Sequence, residues 1–275
     1  MDIYYGMGFG LKKELTEKNI SINIMMSFEQ FQNSKKELNR PKNINKLFMD
    51  SGAFSNDTKG TYISINDYMQ FLENNKNKID LYASLDKVID GKESLKNYKI
   101  MLKNNFTPIP VYHDGEDYKI MDYYMDNSKY IGLGAVAYKS NKARLLFFND
   151  IFKRYKTNFH GFGVFSINLF EQFPFKSVDS TTIAKHAISG DFYFPNFGWI
   201  NLNMQQNKRM TKWRTKEGIK KVSNYVNNLG YTLEELCLFN QQSAIKRFIL
   251  SVIYFNNKYE SNNFIIKNKK NYHLF

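Results

Sequence analysis

The stretch LFMDSGAFS, residues 47–55, decides how this chain is read. Three apolar residues run into Asp50, and Ser51-Gly52 turn the chain directly afterwards. A short apolar run closed by a polar residue and a glycine fits a strand buried on both faces, as in a parallel sheet. The arrangement recurs: LYASLD ends on Asp86, PIPVYH on His113 and FKSVD on Asp179, while YIGLGAVA (130–137) and FHGFGVFS (159–166) carry glycine-marked turns. Helical spacing lies between these runs, with Ile65, Tyr68, Phe71 and Leu72 on one side of a helix and Leu95, Tyr98, Met101 and Leu102 on another. Strand and helix alternate about seven or eight times over roughly the first 200 residues, beginning with SINIMMSF (21–28) as the first expected strand. That alternation predicts an α/β fold, a TIM-like (β/α)8 barrel with a small helical C-terminal extension, whose site residues stand at the C-terminal ends of the strands. A doubly wound sheet is the alternative, but MGFG (7–10) is not the G-x-G-x-x-G that its first turn would carry.

The expected division is a barrel core over 1–200 and, over 201–275, a basic loop and helices completing the same domain. Those helices break near Gly230, with Thr232 a cap ahead of Glu235. A length of 275 residues suits one barrel, which commonly takes about 250. With 43% hydrophobic and 16% aromatic residues the chain can build a sizeable core. The abundance of Asn, Lys, Ile, Phe and Tyr fits an AT-rich coding sequence. Lys and Arg number 39 against 26 Asp and Glu, a net charge of +13, which favours a polyanionic partner such as a nucleic acid. The basic stretch Lys208, Arg209, Lys212 and Arg214, with Trp213 interleaved, is the candidate surface for tracking phosphates and stacking a base; its plain alternative is a solvated loop. A homodimer stays open.

Cys237 is the single cysteine, so neither an intrachain disulfide nor a multi-cysteine metal site can form. No run reaches about 18 apolar residues, so no membrane span is expected, and MDIYYGMGFGLKK (1–13) does not read as a signal peptide. The expected location is cytoplasmic, the host cytoplasm if the source is a phage. His113 stands near Asp114, Glu116 and Asp117, but H-x-H and H-E-x-x-H spacings are missing, so no metal or organic cofactor is expected.

Each acid also has a structural reading. Asp50 before Ser51-Gly52 is a turn former, Asp86 a distant cap for a helix near Ser94, Asp90 with Gly91 a plain turn, and Asp179 before Ser180-Thr181 a helix N-cap. His113 and His160 also suit packed, hydrogen-bonded positions, and His186 a helix.

Taken together, DSGAFS (50–55), Asp86 in SLD, GLGAVA (132–137), HGFGVFS (160–166) and VDST (178–181) resemble, in order and approximate spacing, the tRNA-guanine transglycosylases, the queuine and archaeosine tRNA-ribosyltransferases. The resemblance covers residues 47–185. The family's zinc site of three cysteines and a histidine cannot exist here, and VYHDGED (111–117) puts His113 where the family has a base-reading glutamine. The chain looks closer to compact, zinc-free phage and bacterial relatives that act on DNA. The resemblance implies a pentosyltransferase that exchanges guanine for a free 7-deazaguanine base, in DNA ahead of tRNA, with Asp179 as nucleophile and Asp50 as acid and base. It implies that Asp86 reads the guanine edge, and that Ser51, Gly52, His113, Gly132, Leu133, Gly134 and Ala135 line the base. Tyr112, Tyr138 and Phe165 are candidates to stack on it. The chemistry asks for such residues independently: a carboxylate can trap an oxocarbenium-like carbon, and a second acid must protonate the departing base. The rival readings are a tRNA enzyme, a non-catalytic nucleic-acid-binding barrel and a metal-dependent barrel hydrolase.

Overall fold

The computed structural model describes residues 1–6, 11–32, 37–53, 62–88, 90–136, 139–164, 166–202 and 212–259. By its internal contacts the chain forms two units, residues 1–6 with 22–180, and residues 7–21 with 181–275.

The first unit is an α/β assembly around eight parallel strands: β1 (Asp2–Gly6), β2 (Ile22–Ser27), β3 (Ile44–Asp50), β4 (Leu81–Tyr82), β5 (Val111–His113), β6 (Tyr130–Gly134), β7 (Asn158–Gly161) and β8 (Ser177–Ser180). Their order in the sheet is β4-β3-β2-β1-β8-β7-β6-β5, so the first and last of the eight are neighbours and the ladder ends at β4 and β5. Among the described residues no strand pairing joins those two ends. One isolated parallel bridge links Ala83 to Ile109, with the Ile109 N–H donating to Tyr82 O at 2.8 Å and the Ser84 N–H to Ile109 O at 2.8 Å. The sheet is therefore curled and TIM-like, and its closure amounts to that one bridge.

Alternation along each strand sends every second side chain inward. Along β3 these are Lys46, Phe48 and Asp50. Tyr4, Met25, Phe48, Ala83, Ile109 and Val111 meet in one buried cluster, with Leu81, Tyr130 and Phe162 packed against it. Residues from both ends of the ladder thus share one interior, and burying each large side chain there favours the curl by about 2 kcal/mol. Gly132 faces the same interior, where a Cβ would collide with the Phe162 ring.

The outward face is covered by α2 (Glu29–Gln32), α3 (Ile65–Asn74), α4 (Gly91–Lys103), α5 (Tyr118–Asn127), α6 (Asn141–Arg154) and α7 (Ile167–Phe170). Their buried faces follow the spacing seen in the sequence: Tyr68 and Leu72 on α3, Tyr98 and Met101 on α4, Phe147, Phe148 and Ile151 on α6. Tyr68 also donates its hydroxyl to Ala83 O at 2.9 Å, fastening α3 to the end of β4. Asp90 is the N-cap of α4, accepting from Lys92 and Glu93 N–H, and not a plain turn.

The second unit holds α1 (Lys12–Glu17), α8 (Thr182–Ile188), the hairpin β9 (Asp191–Phe194) and β10 (Gly198–Asn201), a 3-10 turn at Lys212–Arg214, and α9 (Lys216–Asn228), α10 (Leu233–Cys237) and α11 (Gln241–Tyr259). The helices are three where two were expected. Gly230, at φ +74°, ends α9, and the Thr232–Glu235 capping box opens α10. FILSVIYF falls in α11, with Phe248, Ile249, Leu250, Val252 and Phe255 buried. The strand at Asp2–Gly6 precedes the expected first strand, so INIMMS forms β2. Among the described residues no helix is long and apolar enough to cross a membrane.

Gly52 makes the turn after β3 at φ +83°, and a Cβ there would lie 2.9 Å from Glu29 Cβ and 2.7 Å from Ser27 Oγ. Gly52→Ala is expected to lose about 2 kcal/mol of stability in urea unfolding, from the left-handed backbone together with the crowding.

Candidate active site

Because the strands are parallel, their C-terminal ends gather at one end of the curled sheet. Asp50 closes β3, Asp86 follows β4, His113 closes β5, Gly134 closes β6 and Asp179 lies in β8. Five expected site positions from five strands therefore share one end. Ser27, last in β2 and in register with Asp50, joins them, and its buried Oγ has no partner among the described residues.

Asp86 is held on both sides. Its Oδ1 accepts from Ser51 Oγ at 2.7 Å, and its Oδ2 lies 3.0 Å from His113 Nε2. The other ring nitrogen of His113 lies 2.8 Å from Glu116 Oε1. The His113 side chain is 3% exposed, and those of Asp86 and Glu116 are 9% and 8% exposed. Burial on its own would lower the affinity of the ring for a proton, but the two carboxylates outweigh it and raise the pKa to about 9. His113 is thus an imidazolium at neutral pH, donating from both nitrogens. Glu116 Oε2 is buried without a partner among the described residues. The sequence weighs Glu116 only as a metal ligand beside His113, not as its hydrogen-bond partner. The signal was its place three residues after His113, where a tight turn brings the two side chains together.

Asp50 is treated differently. Its Oδ2 accepts from Gly52 N–H at 3.1 Å, the expected turn contact, and among the described residues no cation pairs with it. Although part of the residue remains exposed, loss of hydration is the largest influence on its carboxyl. The negative charges of Asp86 and Asp179 add to it, against smaller help from the Gly52 and Ser51 backbone, and the pKa is pushed up to about 7. An acid in this range can both give and take a proton at neutral pH.

Asp179 does not cap the following helix: Thr181 is the N-cap of α8, and it makes no side-chain capping bond. Asp179 Oδ1 instead accepts from Gly163 N–H at 2.8 Å and lies 3.3 Å from His160 Nε2. Its Oδ2 has no partner among the described residues. His160 is fully buried, with the rings of Tyr4, Phe48 and Phe162 at 6.0, 4.8 and 4.4 Å between centroids.

Other expected positions fall elsewhere. Leu133 is fully buried on the face of β6 opposite Gly132 and Gly134, and its carbonyl accepts from Phe162 N–H at 3.0 Å. Gly134 sits against the His113 ring, where a Cβ would meet Cδ2 at 2.8 Å. Ala135 turns the chain at φ 58°. Tyr112 alternates outward from His113, stacks on Phe147 of α6 and donates its hydroxyl to Glu116 O at 2.7 Å, so it belongs to the helix layer and cannot stack on a ligand inside the sheet. Tyr138 and Phe165 lie outside the described residues, as do Lys208, Arg209 and the side chain of Lys212. Trp213 is 7% exposed, a packed ring and not an open stacking platform, with the Arg214 guanidinium 5.2 Å from its centre. Among the described residues no group of three or more His, Cys, Asp or Glu is arranged to hold a metal ion; His113 spends both nitrogens on carboxylates.

Two stability profiles follow. With its carboxyl raised from 3.8 to about 7, folded Asp50 holds a proton that the unfolded chain releases, so its presence costs stability progressively from about pH 4 to pH 7. Asp50→Asn is expected to raise the melting temperature at pH 8, where the full cost of roughly 4 kcal/mol is relieved, and to change it little at pH 4. Imidazolium His113 stabilises the fold fully below pH 6.5, and this is lost as pH rises through about 9. His113→Gln is expected to cost about 3 kcal/mol in urea unfolding at pH 6 and much less at pH 10. No family model matches the chain, and no curated protein matches it, so its function is argued from this geometry.

Proposed function

We propose that the chain is a glycosyltransferase that exchanges guanine for a 7-deazaguanine base in a polynucleotide, DNA ahead of tRNA, through a covalent aspartyl–sugar intermediate. The observation that carries this reading is the pairing of Asp50, an acid poised near neutrality, with Asp179, whose Oδ2 is unengaged among the described residues. We take the curled sheet to be that of a (β/α)8 barrel completed through the Ala83–Ile109 bridge, and its C-terminal end to receive the extruded base.

The steps balance without a further reactant. Asp179 Oδ2 forms a bond to the sugar C1′ while the C1′–N9 bond breaks, its electron pair leaving with guanine. Asp50 gives its proton to the departing base. The incoming deazaguanine loses its N9 proton to Asp50, attacks C1′ and releases Asp179. Asp86 keeps one unused lone pair on each oxygen, enough to accept from the N1–H and the amino group of guanine, and His113 holds it at the angle for both. An adenine edge would leave that buried carboxylate short of donors, which is costly.

The net charge of +13 favours a polyanionic substrate. Lys92, Lys96, Lys99 and Lys103 on α4 form a basic face suited to phosphates. It lies within the described residues, unlike most of the 208–214 stretch.

The test is nucleoside mass spectrometry after incubation with a 7-deazaguanine base and either duplex DNA or tRNA. Exchange into DNA, abolished by more than about 10³-fold in Asp179→Asn, is the expected result. Exchange into tRNA alone transfers the reading to the tRNA enzymes, and undiminished exchange in Asp179→Asn refutes it. Because Asp50 must begin protonated, kcat/KM is expected to fall about tenfold per pH unit above pH 7.

A further inference from the structure

A buried polar chain runs through the sheet interior beneath Asp179. Tyr130, first in β6, has its hydroxyl against Ser177 Oγ. Ser177, first in β8, lies 2.5 Å from His160 Nδ1, and His160 Nε2 reaches Asp179 Oδ1. Ser177 and His160 are fully buried in an otherwise aromatic and aliphatic core. Unpaired polar groups there would be costly, so each hydrogen must have a place.

We propose that Tyr130, Ser177 and His160 form a one-way hydrogen-bond chain that fixes Asp179 Oδ1 and leaves Oδ2 as the reacting oxygen, with His160 as a positioning residue. This deepens, and rests on, the assignment of Asp179 as the nucleophile. The direction follows from donor and acceptor capacity. An aspartate carboxylate only accepts, so His160 Nε2 carries hydrogen and donates. In a neutral ring Nδ1 then accepts, and Ser177 is the donor available to it. Ser177 Oγ in turn accepts from Tyr130, whose phenol burial keeps protonated, with its pKa near 12. The Gly163 N–H holds the same Oδ1 from a second side. With two donors on Oδ1, rotation of the carboxylate about its Cβ–Cγ bond is blocked, and a single oxygen is presented.

This arrangement separates the two buried histidines. His113 is bracketed by two carboxylates, whereas His160 has a carboxylate on one side and a hydroxyl on the other. The first clamps charge and the second orients it.

The experiment has two arms. In protein labelled with ¹⁵N-histidine, NMR of wild type is expected to place the His160 ring hydrogen on Nε2, with Nδ1 accepting, and Ser177→Ala to shift its Nδ1 signal. A hydrogen found on Nδ1 overturns the chain as drawn. In the kinetic arm, His160→Leu is expected to lower kcat by about 10²-fold with KM little changed, because the nucleophile is mispositioned and substrate binding is not. His160→Gln, whose amide can still donate to Oδ1, is expected to recover most of that loss. Equal losses in the two variants, both shown folded by thermal melting, or a loss confined to KM, overturn the positioning role. If wild type exchanges bases in neither DNA nor tRNA, the functional reading fails, while the NMR arm still decides the hydrogen-bond chain.

Discussion

Three carboxylates cannot share one end of a sheet, withdrawn from water, unless each repulsion is met or a proton is taken up. This constraint organises the site. Asp86 is met by a hydroxyl and an imidazolium, Asp179 by a backbone N–H and a second imidazole, and Asp50 by little more than the turn that follows it. The uncompensated member takes up the proton. Three residues of one chemical type thus acquire three different electrostatic environments from their partners alone. The same imbalance lowers stability at neutral pH.

Much of this was legible in the sequence because one period of two governs both burial and site position. Once LFMD is read as a buried strand, the inward alternation of Lys46, Phe48 and Asp50 follows, and the ends of later strands fall at the same level. The same rule, applied back from His113, places Tyr112 in the helix layer; its candidacy for stacking came from residue type with orientation neglected. MDIYYG was hidden because its two tyrosines and flanking glycines resemble a loop as much as a strand. Asp90 was discounted because Asp-Gly reads as a turn, although a carboxylate one residue before a helix is also its natural cap.

What pattern could not supply was pairing across the fold. Glu116 reaches His113 through a local turn, but the meeting of Asp86 with Ser51 and His113, and of Ser177 with Tyr130 and His160, joins residues far apart in the chain. Such contacts depend on strand order and register, which one sequence read alone does not fix. Trp213 shows the complementary error: an aromatic within a basic run suggests an open surface, and the ring is packed inside its unit.

The narrow join between β4 and β5 has a wider meaning. Among the described residues one backbone bridge crosses this seam, and Asp86 and His113 span it just above. The ion pair is therefore a stitch as well as part of the site, doing with side chains what the ladder does with amides elsewhere. Any displacement of His113 from Asp86 would therefore pull on the least secured edge of the curled sheet, tying the geometry of these two side chains to the hold between the ends of the ladder.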